Sequence, residues 1–580
     1  MVREKKRIKI KKNDGITLVA LVVTIVVLIL LAGVSINLVI GNNGIMQKAK
    51  EAKESMEQAA KEEQEGLSAL EEKLNNLNKA NAPVLLTGMT PIKFTMPTED
   101  QMGETIETTA DDAGWYSYGI TSETKKWANA KTQEGSMWVW IPRFAYRVDN
   151  DKKVIDVVFL QGTTDNYFDE NGELQTAKRQ KSIDETIDTT TGYTVHPAFT
   201  DESNIKFANG GWDKELTGIW VAKFAAGYAS GNNTAEVKSS SVNYTETQVW
   251  TYRTERGTDT EDNEDARNWL DGIYGATTTS IKYPTFQGVT YAMNYINHND
   301  SFNIAKVLNE SGNIYGLSIS DSDSHLMKNS EWGACSYLSL SKYGLYNVDI
   351  KINSVNLNSG NRKRTETAGK SGVDSVYAVT GCAGGNSNTT IDTLKAVTAN
   401  KADSTGAYVW NQKNGQASST TGTIYGVYDM SGTVWEEIAA YVANVSGSLK
   451  KYGKSIAYNE NTLKTESTKY TTVYPFNEKD SEGKALTDID TASRQNFVAN
   501  SKIYGDAVRE TNSGKAGTSA SNWYYSSWTS DYSYFPALYY PFFDRSGVFW
   551  DGSHAGMCAF YRVGGYSHFN CGFRAVLVNK

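Results

Sequence analysis

The stretch FDRSGVFWDGSHAGMCAFYRVGGYSHFNCGFRAVLV, Phe543 to Val578, closes the chain and decides how the rest is read. Its aliphatic and aromatic runs, cut by glycines, predict two or three strands. GFRAVLV reads as core, and Gly552, Ala555, Gly556, Gly572, Phe573 and Arg574 form a frame of strands and turns. Strand formation does not account for the crowd of Tyr, His, Phe, Asn and Cys interspersed with that frame. Those side chains point to a contact surface.

Working back from the terminus, TIYGVYDMSGTVWEEIAAYV (Thr423 to Val442) predicts a strand, a turn at Gly432 and a short amphipathic helix. SHLMKNSEWGACSYLSLSKYG (Ser324 to Gly344) predicts a turn into a helix that carries Leu326, Met327, Trp332 and Leu338. Further back, SMWVWIPRFAYRV (Ser136 to Val148) and LTGIWVAKFAAGY (Leu216 to Tyr228) alternate as core strands, their Trp residues serving packing. DENGEL, in the polar stretch between them, lacks the spaced acids of a calcium loop. Polar, Gly/Ser-rich runs elsewhere are long surface loops. The chain has 580 residues, too many for one small core. Its 49 Gly against 9 Pro, with 34 Tyr and 14 Trp, suit turn-rich, irregular β structure. The fold class expected is α+β, an amino-terminal transmembrane and stalk helix followed by an irregular, loop-rich domain.

At the amino terminus MVREKKRIKIKKND is followed by an uncharged apolar run. The first fourteen residues carry a net +5 and the whole chain −8, so the remainder carries −13. That acidic balance argues against nucleic acid as a partner. As a helix, residues 16–40 are long enough to cross the ~30 Å hydrocarbon layer, with the basic flank inside and the rest of the chain outside. A cleaved secretory signal is the competing reading. Residues 41–82 predict a helix, with Glu57 and Lys61 at i,i+4 and leucines at 67, 70, 74 and 77, that serves as a stalk or coiled-coil seam or packs as an amphipathic helix on its own domain. The junction KKNDGITLVALVVTI resembles a prepilin leader. The resemblance implies cleavage by prepilin peptidase between Gly15 and Ile16, methylation of the new terminus, and other pilin subunits as partners. The acid such pilins carry five residues into the mature chain is here Ala20, which suits a minor or tip-like subunit better than a main shaft.

The 324–344, 423–442 and 543–578 stretches, in that order, resemble the motifs of the formylglycine-generating-enzyme-like (sulfatase-modifying factor) family. The fold the resemblance implies for residues 285–580 is a C-type lectin variant, preceded by an aromatic, β-rich part at 83–284. VHPAFT and WVWIPRFAYRV also resemble Gram-positive surface proteins that join a prepilin-like leader to such a domain. Oxygen-dependent members of the family use a closely spaced cysteine pair, whereas Cys558 and Cys571 lie thirteen apart. Iron sulfoxide synthases use three histidines, and the five here form no facial set. Glu436 and Glu437 are adjacent and face different ways. Cys335, Cys382, Cys558 and Cys571 read as buried or free thiols, an exported location also permitting a disulfide whose pairing spacing does not set, and lone histidines such as His196 as structural. No catalytic residue and no metal ligand is assigned, and no cofactor is expected, with a structural calcium left open.

The last stretch also resembles the variable region of target proteins of diversity-generating retroelements, a family that uses the C-type lectin fold too. Adenine-directed mutagenesis of codons such as AAC yields residue types that match Asp551, His554, Cys558, Tyr561, Val563, Tyr566, Ser567, His568, Phe569 and Asn570; Trp550 departs from that set. With Phe549 and Trp550, these residues form the expected ligand-binding surface within the variable region 543–578, rimmed by Tyr532, Tyr534, Tyr539 and Tyr540. The function this implies is an adhesin-type protein on a bacterial cell membrane, single-pass, displaying a lectin-like domain to a protein or glycan ligand. A structural minor pilin or pseudopilin, and a catalytic member of the family, are the alternatives.

Overall fold

The computed structural model describes residues 18–32, 53, 55–61, 82–201, 210–227, 283–513 except 294–295, 347, 359–375, 387–392, 395, 445, 458–468 and 480–481, and 524–580 except 567–569. The chain divides into two compact units, Met1–Lys73 and Leu74–Lys580.

In the first unit the apolar run forms a helix, Leu18–Ala32. Its 15 residues span about 22 Å. Among the described residues no helix is long and apolar enough to cross a membrane, so the membrane-crossing helix expected over 16–40 is not supported by them. Residues 55–61 are helical, and Lys53 pairs with Glu57 at 3.6 Å. The Gly15–Ile16 junction and the leucines of the expected stalk lie outside the described residues.

In the second unit, mixed α and β structure is organised by two sheets. The larger has seven strands in the order Ser322–Leu326, Ala575–Asn579, Gly218–Ala222, Met137–Pro142, Asn129–Lys131, Thr90–Phe94 and Thr105–Glu107, each antiparallel to its neighbour. The carboxy-terminal strand therefore sits between an element from 83–284 and one from 285–580, and the two expected parts share one core. Trp140 and Trp220 pair across this sheet with ring centroids 5.2 Å apart, both buried, as packing tryptophans should be. The run Ser136–Val148 is two strands rather than one. The fully buried Arg143 breaks it, turning to Asp165 at 2.9 Å and Glu215 at 2.5 Å, and Phe144–Asp149 enters a separate three-stranded sheet.

The second sheet is built on Trp435–Val442, flanked by Thr472–Tyr474 and Cys571–Phe573, both parallel to it, and by the antiparallel Phe542–Ser546, which in turn pairs with Gly556–Val563. Here the expectation of a helix after Gly432 is corrected. All eight residues of Trp435–Val442 are buried. The run is a strand with neighbours on both edges, and its two acids, which gave it the look of an amphipathic helix, are taken up inside by Arg574 and His298.

The helix expected after Ser324 is present as Asn329–Ser339; Glu331 closes its first turn by accepting from the Lys328 N–H at 2.8 Å. A further helix, Ile489–Ala499, capped by Asp488 on the Thr491 N–H at 2.8 Å, was not anticipated. DENGEL is the turn of the hairpin Asn166–Phe168/Leu174–Thr176, in which Asp169 accepts from the N–H groups of Asn171 and Glu173.

Two turns bring the motif stretches together. Asp429, fully buried at φ +63°, accepts from the Gly381 N–H and from the Asn353 amide, and Gly432 follows at φ +85°. A side chain at Gly432 would meet the Asn353 carbonyl at 2.4 Å, so the turn requires glycine. Ser546 donates from its hydroxyl to the carbonyls of Asp429 and Gly432, fixing the RSG turn against the DMSG turn. Below them Arg574 forks onto Glu436, with Nε 2.9 Å from Oε2 and Nη2 2.6 Å from Oε1, and also donates to the carbonyls of Ala222 and Tyr428. One buried guanidinium thus joins the two sheets.

Candidate functional site

The carboxy-terminal face grows from the edge of the second sheet. Gly556–Val563 is covered on both sides as far as Phe560 and opens at Tyr561. The segment 532–534 runs beside it: the Phe560 N–H donates to the Tyr532 carbonyl at 2.9 Å and the Tyr534 N–H to the Phe560 carbonyl at 3.0 Å. Alternation along that segment buries Ser533 and turns Tyr532 and Tyr534 outward. Trp435, the first residue of the central strand, completes a cluster in which its ring lies 5.8 Å from Tyr532 and 5.4 Å from Tyr561.

A short turn, Gly552–His554, carries the other side of the face. The His554 ring stacks on Tyr525 with centroids 3.9 Å apart, and its Nδ1 lies 3.1 Å from the Ser530 carbonyl. Asp551 accepts from the Val548 N–H at 2.8 Å. Burial pushes the Asp551 carboxyl up to about 6, opposed by that N–H and by His554. The phenols stay protonated over a wide range: burial, with Asp551 and neighbouring phenols adding, raises Tyr532 to about 12. At the rim Tyr524 stacks on Tyr534 at 4.4 Å and donates to Asp490, which also holds Arg562 at 2.6 Å.

Of the twelve expected surface residues, Trp550 (49% exposed) and Tyr566 (46%) are open, and Asp551, His554, Tyr561, Val563 and Asn570 are half-buried. Two are corrected. Phe549 is buried with Val434, Trp435, Val548, Ala559 and Cys571 and forms the floor under the face. Cys558 lies on the covered part of its strand, with no exposure at all. Ser567, His568 and Phe569 lie outside the described residues. The rim tyrosines are present, Tyr539 the most open at 70%. Sequence reasoning missed Trp435, Tyr524, Tyr525 and the Asp490–Arg562 pair; the aromatic density of NWYYSSW was the available signal.

Directly beneath lies a buried acid cluster. Glu437 and Asp544 are cross-strand partners, and His298 sits between them, 3.4 Å from Glu437 through Nδ1 and 3.6 Å from Asp544 through Nε2. Glu436 and Glu437 point opposite ways as expected, through strand alternation, one to Arg574 and the other to His298. Burial pushes Asp544 up to about 7 and holds His298 below its ordinary value. The Cys571 thiol lies 3.7 Å from Asp544, and burial raises it. Cys558 is pushed up to about 12 by burial and by Asp531. Both shifts oppose the thiolate that nucleophilic or redox chemistry requires. Among the described residues no group of three or more His, Cys, Asp or Glu side chains is placed to hold a metal ion.

No family model and no curated protein matches this chain. Its function is therefore argued from the face itself, a patch of phenol and indole rings whose exposed members project from a frame packed like a protein interior. Such a patch can bury large, rigid area at low entropic cost and offers hydroxyl donors around its edge.

Proposed function

We propose that the chain is an adhesin-type binding protein whose carboxy-terminal face, on a C-type-lectin-like domain, engages a ligand outside the cell. The basic amino terminus and the apolar helix Leu18–Ala32 support attachment to a membrane through the first unit. The observation that carries the reading is the segregation along 549–570. Trp550 and Tyr566 are open and Asp551, His554, Tyr561 and Val563 partly so, while Phe549 and the block Gly556–Phe560, Cys558 of the expected set among them, are buried. The open positions Trp550 and Tyr566 can change without disturbing the frame, as diversification of a binding face demands.

The test is to sequence the 3′ end of the gene and its downstream DNA across a population of producing cells. Substitutions clustered at adenines of a nearby template repeat, falling on the outward positions between Trp550 and Asn570, support a diversified binding face. An unvarying end with no repeat sinks diversification; loss of ligand capture by the full chain on Trp550→Ala and Tyr566→Ala then still separates a fixed binder from a structural pilin subunit.

A further inference from the structure

We propose that this face anchors a partner protein through a cationic side chain, a guanidinium or ammonium group seated on the rings of Tyr532 and Tyr561 beside the Asp551 carboxylate. The inference rests on the binding-face reading and adds the chemistry of the occupant. Its first ground is charge. Between Tyr524 and Asn570 the sequence contains no Lys and no Glu; its charged residues are Asp531, Asp544, Arg545, Asp551 and Arg562. Asp531, Asp544 and Arg545 are buried, and Arg562, held by Asp490, lies over the Tyr534 ring at 5.4 Å, the same cation-on-phenol contact now proposed for the neighbouring rings. Asp551 is thus the carboxylate this segment offers to a ligand. Its hydrogen bond from Val548 uses Oδ2, and His554, on the same turn, packs its ring 5.4 Å from that of Tyr532, which sets Asp551 at the edge of the ring cluster.

Aromatic faces carry the negative end of a ring quadrupole, so rings and carboxylate present the same sign of potential and the complement is a cation. A guanidinium fits best, because it stacks flat on a phenol ring while its edge forks onto a carboxylate. The net charge of −13 on residues 15–580 favours the approach of a basic partner at longer range. Shape supplies the second ground. The cavity outlined by Arg179, Gln180, Thr194, Pro197 and Tyr504 includes none of the face residues. The face itself is a ring-covered surface with Trp550, Tyr566 and Tyr525 standing open, and its richness in Tyr and Trp with Lys and Glu absent is that of a protein–protein hot spot.

The experiment uses the full chain in detergent and follows tyrosine-ring contacts by saturation-transfer NMR with N-acetylarginine methylamide, its neutral citrulline isostere, and a neutral oligosaccharide. The arginine probe is expected to bind, and the citrulline probe to bind ~5-fold more weakly or worse, the ratio that about 1 kcal/mol of cation recognition produces. Asp551→Asn keeps the acceptor for Val548 and should bring arginine binding down to the citrulline level. In the unsubstituted chain the preference should fade as the pH falls through about 6, where Asp551 takes up its proton. Equal binding of the two isosteres, or arginine binding indifferent to Asp551→Asn, overturns the inference. Capture of the oligosaccharide in place of arginine overturns it in favour of a glycan and leaves the binding face standing; the population sequencing tests that face independently.

Discussion

Replacing Arg574 by Met tests whether one buried ion pair holds the two sheets together. Arg574 and Glu436 are both fully buried, joined by two hydrogen bonds of 2.9 and 2.6 Å, and the same guanidinium serves the Ala222 and Tyr428 carbonyls at 2.7 and 2.8 Å. Removing one member of such a pair strands the other charge in a low dielectric, at about 3–5 kcal/mol. The two deserted carbonyls add to this, at about 1 kcal/mol or more each. Arg574→Met should therefore lose at least about 5 kcal/mol, a large share of the 5–15 kcal/mol typical of a folded domain. The assay is urea unfolding followed by Trp fluorescence at pH 8, above the value of about 7 to which burial pushes Glu436, so that the acid is ionised. Replacing both partners, Glu436→Leu with Arg574→Met, removes the stranded charge and should restore part of the loss. A single substitution that costs under about 1 kcal/mol, or a double one worse than the single, would refute the reasoning.

The partition of the terminal stretch into floor and face predicts that Phe549→Ala lowers stability by about 3–5 kcal/mol, whereas Trp550→Ala and Tyr566→Ala stay within about 0.5 kcal/mol; equal losses in chemical denaturation would erase the distinction. Burial pushes Glu134, Glu436, Glu510, Asp531 and Asp544 all up to about 7. The folded chain therefore holds protons that the unfolded chain releases, and stability from these groups is lost as the pH rises from about 4.5 to about 7. His196, lowered to about 3, and His298 act oppositely below about 6.5 but are outnumbered. The urea midpoint should thus be higher at pH 5.5 than at pH 7.5, and a midpoint that rises with pH would contradict the burial of these acids. All four cysteines are buried, so iodoacetamide should label the native chain slowly and the urea-unfolded chain fully; prompt labelling of Cys558 or Cys571 in the native chain would place the terminal strands wrongly.

Much of the core was legible because it was written in strand residues with a strong apolar signal. The runs around Trp138, Trp140 and Trp220 and the terminal GFRAVLV all lie where alternation and aromatic content put them. Trp435–Val442 was misread because two adjacent acids imitate the polar side of a helix. In the folded chain each acid meets a buried cation or imidazole, Arg574 for Glu436 and His298 for Glu437, more than a hundred residues away, and no local pattern shows such compensation. The same limit explains the face. Residues 549–570 announced their composition, but Trp435 and Tyr525 join them through sheet pairing and ring stacking that only the tertiary fold supplies. Cys558 shows the converse: its residue type suited the surface set, and its place on the covered part of Gly556–Val563 put it inside.

The arrangement separates two demands that a variable binder must meet together. Side chains that change must carry little stability, and those that carry stability must not touch the ligand. Here the Arg574–Glu436 fork, the Ser546 hydroxyl spanning two turns, and Gly547, whose Cβ would collide with Ala555 at 2.6 Å, hold the terminal strands without reaching the surface. Trp550 rests on Phe549 and Tyr561 on Trp435, and Tyr566 stands open, so replacing Trp550 or Tyr566 leaves no cavity in the core. Rings half in water gain only part of the transfer free energy that burial would give them. That residual driving force is available to a partner, and Trp550→Ala with Tyr566→Ala measures it by the ligand capture they remove.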